Sequence, residues 1–194
     1  MAPPSQEQAK LIRQIVLSGM VDKIARRYDH VVHDKEGKEL KNAYQGLMIV
    51  DPIFIHPSSV LFKQLPEYIC YVEMVETSKL YMKGVCAIDS SWLAVYLSSQ
   101  CAFEKPIINE NDSEYAVKKP RFDSKKGSVV CHRESTFGQV MWKLKSVEVE
   151  FPQSLELFKW FARFLLEGEV SQNLKKYENV LLASPSTMLK SWAK

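Results

Sequence analysis

The sequence predicts an α+β chain that is mostly β. A small barrel is preceded by one helix and followed by a smaller β-plus-helix module. Three observations carry this expectation. Apolar residues recur at helical spacing over residues 6 to 27. From Tyr44 the pattern changes to short β-type runs set close together, which suits a small barrel better than a parallel sheet. Beyond a charged stretch, alternating runs return and give way to aromatics at helical spacing.

The chain has 194 residues, enough for one large domain or two small ones. Hydrophobic residues make up 46% and charged residues 25%, so a packed core is expected and wholesale disorder is not. The formal net charge of +3 excludes binding of nucleic acid by bulk charge, so any such site must be a local patch. Cys70, Cys86, Cys101 and Cys131 lack the short spacing of a zinc knuckle or redox motif. Buried, reduced thiols in a reducing compartment are expected. No apolar run approaches the roughly 20 residues a membrane helix needs, and the first residues are polar, so a soluble chain without a signal peptide is expected.

In the first helix, Leu11, Ile12, Ile15, Val16 and Ile24 mark the apolar stripe. Gly19 interrupts it at about 1 kcal/mol relative to alanine, which suggests close packing there. Residues 29 to 43 are charged and end the helix. Residues 44 to 50 and 53 to 56 read as strands joined by Asp51-Pro52. Residues 68 to 77 and 80 to 88 read as a hairpin turning near Thr77-Ser78-Lys79. Residues 90 to 97 suit a short helix capped by Ser90 or Ser91.

Residues 104 to 127 read as a linker without a packed element. Glu104, Glu110, Asp112 and Glu114 come first, then Lys118, Lys119, Arg121, Lys125 and Lys126. In residues 128 to 151 the apolar alternation of Val140, Trp142 and Leu144 slips at Lys145-Ser146 before Val147, Val149 and Phe151. A bulge or turn is expected there. Ser154 caps a helix carrying Leu155, Phe158, Phe161, Phe164 and Leu165, and Ser184-Pro185 starts another. The expected division is 1–43 for the leading helix, 44–103 for the barrel, 104–127 for the linker and 128–194 for the C-terminal module.

Several chemistries are missing from the sequence. Its seven glycines are isolated, and no glycine-rich phosphate cradle ends in Lys-Ser/Thr. No Gly-x-Ser-x-Gly elbow is present. His30 and His33 lie in a charged stretch without cysteine partners and read as a solvated pair. Cys131 and His132 are neighbours on a strand and point to opposite faces, so they do not form a nucleophile–base pair. No catalytic residue and no metal site are expected.

DPIFIHPSSVLF, residues 51 to 62, resembles a recurring piece of the DEAH-box RNA helicases. In that family a strand ending in His-Pro-Ser-Ser belongs to an oligonucleotide-binding (OB) fold that follows the helicase core and ratchet domain. Pro66-Glu67-Tyr68, Tyr71-Val72-Glu73, residues 75 to 79, residues 81 to 85 and Trp92-Leu93 continue the resemblance at the family's spacing. Residues 11 to 27 resemble the helix leading from the ratchet domain into that fold. VVCHRESTF (129 to 137), FKWFARFLLEGEV (158 to 170) and SPSTMLKSWAK (184 to 194) resemble the extra C-terminal domain of one nucleolar subgroup.

The resemblance implies work in small ribosomal subunit assembly, in the nucleolus or nucleus. The implied role is displacement of U3 small nucleolar RNA from pre-ribosomal RNA, stimulated by a protein coactivator. It implies as partners single-stranded RNA (pre-rRNA or small nucleolar RNA), the helicase core domains and that coactivator, with no membrane. ATP and magnesium would belong to the core domains and not to this chain.

Two candidate surfaces follow. His56, Ser58 and Ser59 suit contacts to RNA backbone or a base edge, or else the serines cap a turn after Pro57. Lys79, Tyr81 and Lys83 share one face of a strand, which suits single-strand binding or a solvated outer face. The basic cluster over 118 to 126 is a solvated linker or a phosphate contact. Trp160, Phe161, Phe164 and Trp192 are core aromatics or line a partner groove. Two functions remain open: the RNA-guiding end of a helicase, or a protein-interaction module without direct RNA binding.

Overall fold

The computed structural model describes residues 3–108 and 118–191, and the chain divides into two units. The first holds residues up to Ala102 together with Ser135–Lys145. The second holds Phe103–Glu134 and the residues from Ser146 onward.

In the first unit, helix α1 (Gln6–Ser18) begins at a reciprocal cap. Gln8 N–H donates to Ser5 Oγ, and Ser5 N–H donates to Gln8 Oε1. The helix expected over residues 6 to 27 stops at Ser18, with Gly19 as its C-cap. A Cβ on Gly19 would meet only Val16 O, at 3.7 Å, so the close packing expected there is not found. Residues 24 to 27 are instead a strand, β1 (Ile24–Arg27), whose Ile24 and Ala25 are fully buried. Pairing on both sides overrides the local helical spacing, as tertiary context commonly does.

A short hairpin of β2 (Val32–His33) and β3 (Glu39–Leu40) leads to β4 (Tyr44–Gly46) and β5 (Ile53–Ile55). The predicted hairpin is present, but each of its arms is broken in two. One arm is β6 (Tyr68–Cys70) and β7 (Glu73–Glu76); the other is β8 (Leu80–Lys83) and β9 (Cys86–Ile88). The seven-stranded sheet runs β7-β8-β5-β4-β1-β6-β9. Its two ends are therefore the two halves of one bent hairpin, and the sheet closes on itself as an OB-type barrel.

Gly84 sits at the bend with φ +62°, and a Cβ there would lie 2.7 Å from Val72 Cγ2. No other residue fits this corner without a shift. The barrel interior is Ala25, Tyr44, Ile53, Ile55, Ile69, Tyr71 and Met82. Tyr44 donates its hydroxyl to Pro66 O at 2.7 Å, and burial pushes its pKa up to about 12. Outside the barrel, α2 (Ser90–Tyr96) is capped by Asp89, which accepts from Ser91 N–H at 2.9 Å, and not by either serine.

Two long strands, β12 (Ser128–Phe137) and β13 (Trp142–Glu150), pair as a hairpin. Its tip belongs to the first unit. There Trp142 donates Nε1–H to Gln45 Oε1 at 2.7 Å, and its ring meets Tyr68 and Phe137. The expected phase slip falls at the unit boundary. Trp142 and Leu144 are buried before it, and Val147 after it.

Strand β12 also pairs with β10 (Cys101–Phe103) and, in the second unit, with β11 (Arg121–Asp123). Strand β11 lies in the stretch expected to carry no packed element. Phe122 anchors it: its ring packs against the core of Val129, Cys131, Phe151 and Phe164. Ile108 of the same stretch packs against this core as well. Helix α3 (Leu155–Leu166) starts at Ser154, whose Oγ accepts from Leu157 N–H as expected. Helices α4 (Gln172–Lys175) and α5 (Pro185–Ser191) follow, the latter started by Ser184, which accepts from Thr187 N–H.

Candidate nucleic-acid interface

Strands β5 and β8 run parallel, and their register sets Phe54 opposite Tyr81. Their neighbours Ile53, Ile55 and Met82 fill the barrel, so Phe54 and Tyr81 stand on its outer face. The two ring centroids are 6.3 Å apart. Lys79 Nζ lies 4.3 Å above the Phe54 ring, and the His56 ring meets Tyr81 edge-on at 5.6 Å. The structure thus brings His56, Lys79 and Tyr81 together. A cavity of about 140 Å³ opens here, lined by Lys41, Phe54, Phe62, Lys79 and Tyr81 among others, and none of its lining residues is acidic.

The His-Pro-Ser-Ser segment closes as a turn. Ser59 N–H donates to His56 O at 2.9 Å, and Leu61 N–H donates to Ser59 Oγ at 3.2 Å. Ser58 N–H donates to His56 Nδ1 at 3.2 Å, so in the neutral ring the proton sits on Nε2. Ser58 Oγ is also 2.7 Å from that Nδ1. The serines therefore do cap the turn, and Ser58 also orients the imidazole. A neutral His56 so held presents Nε2–H as a donor for a phosphate or base-edge acceptor.

Lys83 lies on the same strand face as Lys79 and Tyr81, as expected, but at its far end. The register of β7 and β8 sets it opposite Glu73, which offsets its charge locally. Phe54, Phe62 and Lys41 were missed from sequence. Phe54 had a legible signal, since it alternates with Ile53 and Ile55. Lys41 had none, because only the closed barrel carries the loop before β4 to this spot.

The other candidates lie in the second unit. Arg121 makes two 2.6 Å hydrogen bonds to Glu148, and Asp123 Oδ1 accepts from the Lys125 and Lys126 backbone N–H groups. Much of the basic cluster is thus built into the β11–β12 turn. Phe164 is only 5% exposed in the core, and Trp160 stacks on it at 5.7 Å. Phe161 lies at the edge of Phe122 and is partly exposed. Trp192 lies outside the described residues. The side of α3 open to solvent carries Leu155 and Phe158, the latter 63% exposed. His30 is exposed beside Asp29, with Nδ1 2.9 Å from Oδ1.

Residues 12–99 match the family described as oligonucleotide/oligosaccharide-binding (OB)-fold. The whole chain is similar to the human "Probable ATP-dependent RNA helicase DHX37", 46% identical over 196 residues that cover 100% of this chain and 16% of that protein. It is 35% identical over 198 residues to "Probable ATP-dependent RNA helicase kurz" of Drosophila melanogaster, covering 98% of this chain and 16% of that protein. It is 27% identical over 187 residues to "ATP-dependent RNA helicase DEAH13" of Arabidopsis thaliana, covering 96% of this chain and 14% of that protein. The chain thus spans about one sixth of the length of these curated relatives.

Proposed function

The chain belongs to the C-terminal OB-fold region of the DEAH-box RNA helicases, and from that premise we propose that it guides single-stranded RNA for an ATP-dependent helicase. The observation that carries this reading is the acid-free cluster of Lys41, Phe54, Lys79 and Tyr81 on the outer face of β5 and β8, with His56 beside Tyr81. Cations neutralise phosphates while aromatic faces and edges take bases, which is the combination single-strand sites use. ATP and magnesium would be held by helicase core domains outside this sequence, because the isolated glycines offer no phosphate cradle.

The finer reading is an accessory role in small ribosomal subunit biogenesis in the nucleolus or nucleus, with displacement of U3 small nucleolar RNA and stimulation by a coactivator. Its support is the resemblance of residues 129 to 137, 158 to 170 and 184 to 194 to one subgroup's extra domain, together with similarity along the whole length to the human relative. The test of the RNA reading is fluorescence anisotropy of the purified chain with a labelled unstructured RNA across a salt series. Binding that weakens with salt and prefers single strand over duplex is expected. No binding at low salt, or equal binding to duplex, would overturn it.

A second reading has one observation in its favour. Leu155 and Phe158, on α3, are open to solvent in the second unit. An apolar surface of this kind suits docking of a protein, such as a coactivator, and would make the second unit an interaction module.

A further inference from the structure

Strands β6 and β9 pair antiparallel, and their register sets Cys70 directly opposite Cys86. Opposed residues in such a pair have Cα atoms about 4.5 or 5.5 Å apart, and both values lie within the roughly 4.4–6.8 Å that a disulfide spans. Ile69 and Tyr71 point into the barrel, so the two thiols share its outer face. They differ in access: Cys70 is 1% exposed, whereas Cys86 is partly exposed. Arg13 of α1 reaches the same strand, with Nη1 3.5 Å from Ala87 O.

We propose that Cys86 and Cys70 are a peroxide-sensing dithiol, in which Cys86 is the residue oxidised first and Cys70 resolves it to a cross-strand disulfide. Cys86 Sγ–H donates to Ala87 O at 3.8 Å, and the Cys70 thiol opposite lowers the Cys86 pKa to about 7 against its desolvation, with help from the Arg13 charge; the same pairing drives Cys70 the other way. Burial pushes Cys101 and Cys131 up to about 11, so near neutral pH Cys86 holds far more thiolate than either.

The chemistry balances with hydrogen peroxide or an organic hydroperoxide as oxidant. The Cys86 thiolate attacks one peroxide oxygen, an S–O bond forms and the O–O bond breaks. Hydroxide or alkoxide leaves and takes a proton from solvent. Sulfur is oxidised to the sulfenic acid and the peroxide is reduced. Cys70 Sγ then attacks the sulfenic sulfur, the S–S bond forms and the S–O bond breaks. The hydroxide leaves as water with the Cys70 proton. The product staples β6 to β9, at one end of the sheet order.

The test treats the native full chain near pH 7 with equimolar hydrogen peroxide, removes the peroxide with catalase, blocks remaining thiols with N-ethylmaleimide present during denaturation so that the buried ones are reached, and maps tryptic peptides without reductant. Lys79 and Lys83 separate the two cysteines, so the disulfide joins two peptides; Cys101 shares the Cys86 peptide, so fragment ions assign which of its two sulfurs is linked. The expected result is a Cys70–Cys86 link lighter by two hydrogen atoms, reversible by dithiothreitol, with Cys101 and Cys131 blocked as free thiols. Cys70→Ser should leave Cys86 as a sulfenic acid that dimedone traps, and Cys101→Ser should leave the link intact. A link to Cys101 or Cys131, Cys86 over-oxidised while wild-type Cys70 stays free, or four blocked thiols after peroxide would each overturn the proposal. The wild-type map decides even if a variant fails to fold.

Discussion

Phe54 and Tyr81 face each other across a parallel strand pair on the outside of the barrel, with centroids 6.3 Å apart and Lys79 capping the first ring. Phe54 is only 8% exposed beneath that cap, so Tyr81 is the more accessible of the two rings. Base stacking on an aromatic is worth about 1–3 kcal/mol by alanine substitution, so Tyr81→Ala should weaken single-stranded RNA binding by roughly 5- to 150-fold. Because no charge is removed, the slope of log affinity against log salt should stay the same. Anisotropy across a salt series reads both, and unchanged affinity would remove Tyr81 from the interface.

The two lysines should behave differently from Tyr81 and from each other. Each phosphate contact to a single strand contributes about 0.7 to the salt slope. Lys79→Ala should therefore flatten the slope by up to about 0.7 as well as weaken binding. Lys83→Ala should do less, because Glu73 opposite already offsets its charge. If Lys83→Ala flattens the slope more than Lys79→Ala, RNA runs along the other end of the strand.

Gly84→Ala should destabilise the first unit by about 2–4 kcal/mol. The left-handed backbone costs a residue with a side chain about 1–2 kcal/mol, and the clash adds an overpacking term of comparable size. The φ of +62° and the 2.7 Å approach to Val72 Cγ2 motivate the figure. Urea unfolding checks it. A loss below about 0.5 kcal/mol would mean the corner relaxes freely.

Strand existence and the apolar alternation were legible in the sequence because side-chain period is a local property. Phe54 between Ile53 and Ile55, and Lys79, Tyr81 and Lys83 around Leu80 and Met82, could be assigned to faces from spacing alone. What was not legible depended on contacts distant along the chain. Ile24 and Ala25 fit a helical stripe, and only pairing with Gly46 and Ile69 makes them strand residues. The breaks after Cys70 and Lys83 had a cue in Gly84, yet its meaning required knowing that both edges of the sheet belong to one hairpin. Lys41 joined the site through that same closure.

Helix α3 supplies the last prediction, because it separates a buried face from an open one. Phe164 is 5% exposed in the core of the second unit with Trp160 stacked upon it, while Phe158 is 63% exposed. Phe164→Ala should therefore cost about 3–5 kcal/mol by opening a cavity, and it cannot test docking because it tests folding. Phe158→Gln with Leu155→Gln keeps good helix formers at surface positions, so stability should change by less than about 0.5 kcal/mol per site. If this face docks a protein, the double variant should lose that binding while single-stranded RNA affinity stays at the wild-type value. Circular dichroism, RNA anisotropy and co-purification with a candidate coactivator read the three quantities on one preparation. Marked unfolding of the double variant would show that Leu155 and Phe158 stabilise the fold, and retained coactivator binding would place docking elsewhere.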